Sequence, residues 1–406
     1  ITNASPIPLT NGQSYAIFPP MMLPSLAIAL LLSLPAGDAC VPAASRYLSR
    51  PVPANRAAVL EHCTLDEVLA VLHAAPPWTR TGALPDGDVV QMDEGCYLVD
   101  LPEGYTPDRS WPLILSMQGN PPGHSLRVHR QYWRHDPRPA GFILVSPDLE
   151  WGKWRTGKGR RRLLDALRDA VRRFHVDPAQ IHLAGYSSGG MGAWYFGTWL
   201  ADLWATVNVR CGLRTSKMGP MENLARVGVY LIHAAADHRC APSNAKAAAQ
   251  DLAARGYDHE FKLFPGDHDF QWDDNGNVLE WMRRRRLRDY PVLAYTLAMQ
   301  PEGRLVRWLY VAGEGHVTVR AAAKDNRIEV TTGGKGRVTG LAVYLNEEIA
   351  DPGKPLLVLH NGTERYHGPV MPSLEAFLDA WALFPAYTPT LGRRVFTARV
   401  VLVDHR

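Results

Sequence analysis

The sequence predicts an α/β protein: a mostly parallel sheet with helices on both faces, followed by a smaller β-sandwich-like domain. Three observations predict it. From Asp88 to about Tyr290, short apolar runs alternate with amphipathic stretches. Beyond Pro291 the apolar period changes to two, and Gly-, Pro- and Asn-rich turn signals punctuate that second stretch. The length of 406 residues allows two or three domains. Hydrophobic residues at 46% and charged residues at 21% exclude a wholly disordered, collagen-like or multi-spanning membrane chain. A net charge of +4 excludes a strongly basic nucleic-acid binder. The densest basic run, Arg283 to Arg286, closes a predicted helix, where it complements the helix dipole.

Taken in order, the amino terminus speaks first about compartment. Residues 1–20 read as an upstream segment rather than folded protein, and 21–39 as a signal peptide. Leu23 to Leu34 is an uncharged apolar run of 12 residues, too short to span a bilayer as a helix, followed by small residues at Gly37 and Ala39. The chain is therefore expected to be secreted or periplasmic. Cys40 would then be the first mature residue and a site for lipid anchoring. Setting Cys40 aside leaves Cys63, Cys96, Cys211 and Cys240, an even number that permits two disulfides. Cys211 with Cys240, which follow neighbouring predicted strands, and Cys63 with Cys96 are the expected pairs, with buried free thiols as the alternative.

Residues 40–87 read as a linker with one short helix, opened by the capping-box pattern Thr64-Leu65-Asp66-Glu67, running through His73 and ended by Pro76-Pro77. The unit 88–290 carries predicted strands at Cys96–Leu101, Pro112–Met117, Gly141–Ser146, Ile181–Ala184, Ala205–Val209, Val227–Ala234 and His259–Leu263. Leu164, Leu167, Val171 and Phe174 recur at helical spacing, and Ser243–Arg255 and Val278–Arg286 read as further helices. In 291–406, Val317 and Val319, Ile328 and Val330, then Leu341, Val343 and Leu345 alternate as in half-buried strands, as do Phe396, Ala398, Val400 and Leu402. Only Ser373–Leu383 looks helical there.

The chemistry concentrates at three predicted strand ends. Gly185-Tyr186-Ser187-Ser188-Gly189 follows one strand and opens a helix, the G-x-S-x-G form of a nucleophile elbow. Glycines flank the serine because a sharply bent, close-packed turn leaves no room for a Cβ. A serine hydroxyl needs a general base, and that base needs an orienting carboxylate. Asp237 and His268 fall after the last two predicted strands in the order Ser, Asp, His, with His233, His238 and Asp148 as competitors. For the oxyanion, the backbone amides of Ser188 and of the Gln118-Gly119-Asn120 loop, Asn120 among them, are the expected donors. Trp151 and Trp154 lie in a loop near the site, as substrate contacts or as loop packing. Trp194 and Trp199, on the helix after the elbow, read as core. His124 and His129 lack tight metal-ligand spacing, so neither a catalytic metal nor a cofactor is expected.

Residues Tyr97–Tyr105, Pro112–Asn120, Asp177–Gly192, Ile232–Asp237 and Phe264–Phe270 together resemble the α/β-hydrolase superfamily, specifically secreted esterases grouped with polyhydroxybutyrate depolymerases and feruloyl or acetylxylan esterases. The resemblance implies a serine carboxylic ester hydrolase with Ser187 as nucleophile, Asp237 as acid and His268 as base. It implies a small or polymer-linked ester as substrate, and no membrane span or nucleic-acid partner. The family usually has His-Gly where this chain has Gln118-Gly119. A secreted serine peptidase of the same fold, and a polysaccharide- or partner-binding protein with a silent hydrolase domain, are the alternatives.

Overall fold

The computed structural model describes residues 39–74, 89–119, 133, 141–149, 154–268, 274–287, 294–299, 302–383 and 395–403. The expected signal peptide and upstream segment, Asn120 and Trp151 lie outside these described residues.

The first sheet has eight strands: β1 (Val89–Met92), β2 (Gly95–Asp100), β3 (Trp111–Met117), β4 (Ile143–Pro147), β5 (Val176–Tyr186), β6 (Thr206–Arg210), β7 (Gly228–Ala234) and β8 (His259–Phe264). Their spatial order is β1-β2-β4-β3-β5-β6-β7-β8. The β1–β2 and β2–β4 pairs are antiparallel, and every pair from β4 to β8 is parallel. The seven predicted strands all appear, shifted by a residue or two at their ends, except that β5 begins five residues earlier than its apolar run. The central strands are buried along their whole length because helices cover both faces, so they show no polar alternation. Strand order reverses around β3, so the carboxyl ends of β3 and β5 flank a crevice, the usual place for a site in an open α/β sheet.

The covering helices follow from the expected patterns. α4 (Gly157–Arg173) buries Leu163, Ala166, Leu167, Ala170 and Val171 along one face, and Thr156 caps it by accepting from the Gly159 amide at 3.2 Å. α5 (Ser188–Trp199) follows β5 directly and is nearly all buried, Trp194 included. α6 (Pro242–Ala254) and α7 (Asn275–Arg283) complete the set.

The segment expected to be a linker is not one. It carries three helices, α1 (Cys40–Ser49), α2 (Pro53–His62) and α3 (Leu65–Ala74). The capping box is formed: the Thr64 amide donates to Glu67 Oε2 at 2.7 Å, and the Glu67 amide to Thr64 Oγ1 at 3.3 Å. Tyr47 and Leu48 of α1 are fully buried. The burial partner is remote in sequence: the Tyr47 hydroxyl donates to Leu378 O at 2.6 Å, and the Trp381 indole N–H donates to Leu48 O at 3.1 Å. Both partners sit on α8 (Leu374–Leu383), and Arg56 meets Asp379 of the same helix at 3.0 Å. On the other side, Arg172 of α4 donates to Ser49 O at 2.6 Å.

The expected disulfides are not formed either. Cys40 pairs with Cys63, and Cys96, Cys211 and Cys240 are free thiols. The α1–α2 hairpin brings the start of the first helix beside the residue that ends the second, with Cα atoms 5.1 Å apart, well inside the range a disulfide spans. Cys40 is thereby buried and disulfide-bonded.

The remaining strands are β9 (Ala294–Met299), β10 (Glu302–Val306), β11 (Leu309–Glu314), β12 (Val317–Lys324), β13 (Arg327–Gly334), β14 (Arg337–Leu345), β15 (Leu356–His360), β16 (Thr363–Gly368) and β17 (Ala398–Val403). They form a four-stranded sheet, β10-β11-β14-β17, and a five-stranded one, β16-β15-β13-β12-β9. All pairs are antiparallel except β13 with β15. Val317, Val319, Ala321 and Ala323 point inward along β12 while the residues between them do not, the period of two expected from the sequence.

Candidate active site

The end of β5 carries the sharpest bend. Ser187 has φ 55° and ψ −115°, a conformation that costs a side-chain-bearing residue about 1–3 kcal/mol and persists only when its surroundings enforce it. They do. The Ser187 amide donates to Arg210 O of β6 at 2.8 Å, and the Met191 amide donates to Ser187 O at 2.9 Å. The flanking glycines are sterically required. A Cβ on Gly185 would stand 2.1 Å from Gly189 O, and one on Gly189 would stand 2.2 Å from Met117 O. The bend lifts Ser187 above the sheet edge while α5 begins at Ser188, its positive end toward the serine.

His268 follows β8 and Asp237 follows β7, so both reach the same edge. His268 Nε2 lies 2.8 Å from Ser187 Oγ, and the His268 Nδ1–H donates to Asp237 Oδ2 at 2.8 Å. The other carboxylate oxygen accepts from the amides of Arg239 at 2.9 Å and Cys240 at 2.7 Å. Burial raises the Asp237 carboxyl, but the Cys240 amide, the His268 ring and the Arg239 amide outweigh it and hold the group below the ordinary carboxylate range. The Asp237 carboxylate is thus an anion fixed in position, facing an imidazole with its acceptor nitrogen toward the Ser187 hydroxyl. Hydroxyl, imidazole and carboxylate joined in this order can move a proton off the hydroxyl as it adds to a carbonyl carbon.

The competing residues have other partners. His233 is buried, its Nε2–H donating to Cys240 O at 2.6 Å and standing 3.3 Å from Asp237 Oδ2, and burial lowers its pKa. The exposed His238 contacts Asp267 through its ring Nδ1. Asp148 lies next to β2, its amide donating to Cys96 O at 2.9 Å.

Two neighbours of His268 were not legible in the sequence. Asp267 accepts from the amides of His268 at 2.6 Å and His238 at 3.1 Å, and these contacts, with the His238 ring, bring its carboxyl down to about 2. Its adjacency to His268 was the only available signal. The ring of Tyr186 packs on the His268 imidazole with centroids 5.4 Å apart. One further group belongs to the site by position: the buried Cys211 sulfur, an Asp237 oxygen and a His268 nitrogen all lie within 4.8 Å of one another.

The loop after β3 lies against Ser187: a Cβ on Gly119 would stand 3.0 Å from Ser187 Cβ. Gln118, which replaces the expected family histidine, donates from Nε2 to Leu149 O at 2.7 Å and accepts the Trp154 indole N–H on its own carbonyl at 2.9 Å. Trp154 is therefore a strut under this loop. It is fully buried and packs against Gly192 of α5, so it presents no face to a substrate.

In sheet order, elbow and strand-end residues the chain resembles proteins of the α/β-hydrolase type. Residues 149–287 match the model of the dienelactone hydrolase family. The stretch spans β5 to β8 and includes Ser187, Asp237 and His268. No curated protein matches the sequence. Among solved structures, a thermostable esterase is similar with 17% identity and a TM-score of 0.40, over 49% of this chain and 62% of its own. The chain thus spans less than two thirds of that esterase. The S-formylglutathione hydrolase FrmB of Staphylococcus aureus is similar with 13% identity and a TM-score of 0.39, over 46% of this chain and 92% of its own. Est1E of Butyrivibrio proteoclasticus follows with 14% identity and a TM-score of 0.36, over 48% and 95%.

Proposed function

We propose that the chain is an exported serine hydrolase of carboxylic esters. The observation that carries this reading is the hydrogen-bonded relay from Ser187 Oγ through His268 to Asp237, with both links at 2.8 Å and the serine on a strained elbow. Ser187 attacks the ester carbonyl while His268 Nε2 takes its proton. Asp237 holds the imidazole in the tautomer with Nδ1 protonated and stabilises the imidazolium. The tetrahedral oxyanion takes a hydrogen bond from the Ser188 amide at the start of α5 and, as the sequence predicts, another from a backbone amide of the loop that follows β3; losing one such donor costs on the order of 10²–10³ in rate. His268 returns the proton to the leaving alcohol, and water then releases the acyl group along the same path.

Export is supported by the apolar run Leu23–Leu34 and by the Cys40–Cys63 disulfide, a bond that persists in oxidising compartments. We read 291–406 as a β-sandwich appended to the hydrolase unit, on the inward alternation of β12, β13 and β17.

Covalent labelling by a fluorophosphonate, mapped by mass spectrometry, tests the nucleophile, and the adduct is expected on Ser187. A protein that hydrolyses acetyl, feruloyl or hydroxyalkanoate esters but carries no label there would overturn the assignment. Faster cleavage of a peptide panel than of the ester panel would overturn the substrate class.

A further inference from the structure

Cys211 is the first residue after β6, and it sits at φ 45°, in the left-handed region that a non-glycine residue rarely adopts. Its amide donates to Ile232 O of β7 at 2.9 Å, which fixes the turn. Its side chain is fully buried. The sulfur, an Asp237 oxygen and a His268 nitrogen lie within 4.8 Å of one another. Ester hydrolysis as proposed above makes no use of the thiol. Burial and the Asp237 carboxylate raise the thiol pKa, so the free enzyme keeps it as a neutral S–H that does not compete for the imidazole.

Sulfur, imidazole nitrogen and carboxylate oxygen together are a donor set for a thiophilic divalent cation. Zn²⁺ takes such ligands at about 2.0–2.3 Å, which sets neighbouring donors roughly 3–4 Å apart around a tetrahedral centre. His268 Nδ1 and Asp237 Oδ2 stand 2.8 Å apart, and the sulfur lies within 4.8 Å of an Asp237 oxygen and a His268 nitrogen, so a metal would replace the Nδ1–H···Oδ2 hydrogen bond, with that pair parting slightly and the sulfur closing in.

We propose that Cys211, Asp237 and His268 form an inhibitory site for Zn²⁺, so that the cation switches the enzyme off by capturing its base. The inhibition rests on the hydrolase reading above; the binding does not. On binding, the Cys211 thiol gives one proton to solvent and its sulfur bonds to the metal. The His268 Nδ1 lone pair bonds to the metal as well, and the imidazole's single proton moves to Nε2. Asp237 supplies the third ligand, and water completes the tetrahedron. With Nε2 protonated, His268 can no longer accept the Ser187 proton.

The test uses Co²⁺ as a spectroscopic stand-in, because a thiolate ligand gives it an intense charge-transfer absorption. Full-length S187A, which keeps the three donors without needing turnover, is expected to show that absorption, as is the wild type. C211A and C211S are expected to lose it, and C240A to keep it. Absence of the band from S187A and wild type, or its survival in C211A, overturns the site. In parallel, each protein's ester hydrolysis is measured with and without Zn²⁺. The wild type should lose most of its activity and regain it on chelation, whereas the ratio for C211A should stay near unity. A thiolate band without inhibition overturns the inhibitory role. Should no ester be hydrolysed under any condition, the functional reading falls, and the Co²⁺ absorption alone still decides the metal site.

Discussion

The α/β unit and the β-rich unit handle buried polarity in opposite ways. In the first, Ser116, Gln118, His182, Asn208, Arg210, His233, Asp237 and Asp274 are all buried. Several crowd the carboxyl ends of β3, β6 and β7. In the second, only Arg307 and His360 are buried polar residues among those described, and they lie apart, Arg307 in the turn between β10 and β11 and His360 at the end of β15. Burying a polar group without partners costs about 1–3 kcal/mol by mutational measures, so a protein accumulates them where their geometry is used. The α/β unit gives up stability for a converging polar cluster, while the other unit has an apolar interior and a wet exterior. Polar substitutions should therefore hurt activity in the first region and, at most, stability in the second.

The largest effect expected is at Ser187. Ser187→Ala should lower kcat by roughly 10⁶-fold, to a residual level, while leaving thermal unfolding near that of the wild type. Steady-state assays on a short-chain aryl ester check this, and retention of normal turnover would break the contrast at its centre. Asp237→Asn should follow at roughly 10⁴-fold, because an amide can stabilise the wrong imidazole tautomer while preserving shape. Here a fall in kcat with little change in KM is the expected signature.

Tyr47→Phe removes the hydroxyl that bonds Leu378 O between α1 and α8. It should cost about 1 kcal/mol in urea unfolding and leave kcat/KM unchanged. A clear loss of activity from Tyr47→Phe would mean that the β-rich side acts on the site. The smallest effect is expected at Asp267. Its folded value of about 2 lies below the ordinary 3.8, so the carboxylate adds stability above that ordinary value and loses it as pH falls toward 2. Urea midpoints between those pH values should drop less steeply for Asp267→Asn than for the wild type, and the exposure of this carboxylate keeps the difference small.

Much of this arrangement was legible in the sequence because it depends on local rules. The elbow at Gly185–Gly189 needs residues without a Cβ at fixed places, and a strand before and a helix after it are visible as runs of apolar residues. Asp237 and His268 were legible because they follow apolar strands that end at one edge of a parallel sheet. What escaped depended on distant partners. α1 and α2 read as linker since their Pro- and Ala-rich composition carries little periodicity, and their burial comes from α8. Disulfide pairing escaped for the same reason, as it is set by the α1–α2 hairpin rather than by spacing. Trp154 was ambiguous until the Gln118 carbonyl gave its indole N–H a partner beneath the loop.

The contact between α1 and α8 also has a bearing on how the chain is made. Tyr47 and Leu378 are 331 positions apart, so a ribosome must synthesise and release nearly all of the intervening chain before that bond can close. Both sheets can collapse earlier, from nearer neighbours, and the helical clasp should lock only at the end. Contacts of such long sequence separation are slow to form, and one that closes after the transition state changes the unfolding rate alone. Stopped-flow kinetics of Tyr47→Phe should accordingly show faster unfolding with an unaltered folding rate. A protein assembled in this sequence spends its early life with the inner faces of α1 and α8 uncovered, which makes those two helices the surface that a chaperone would meet.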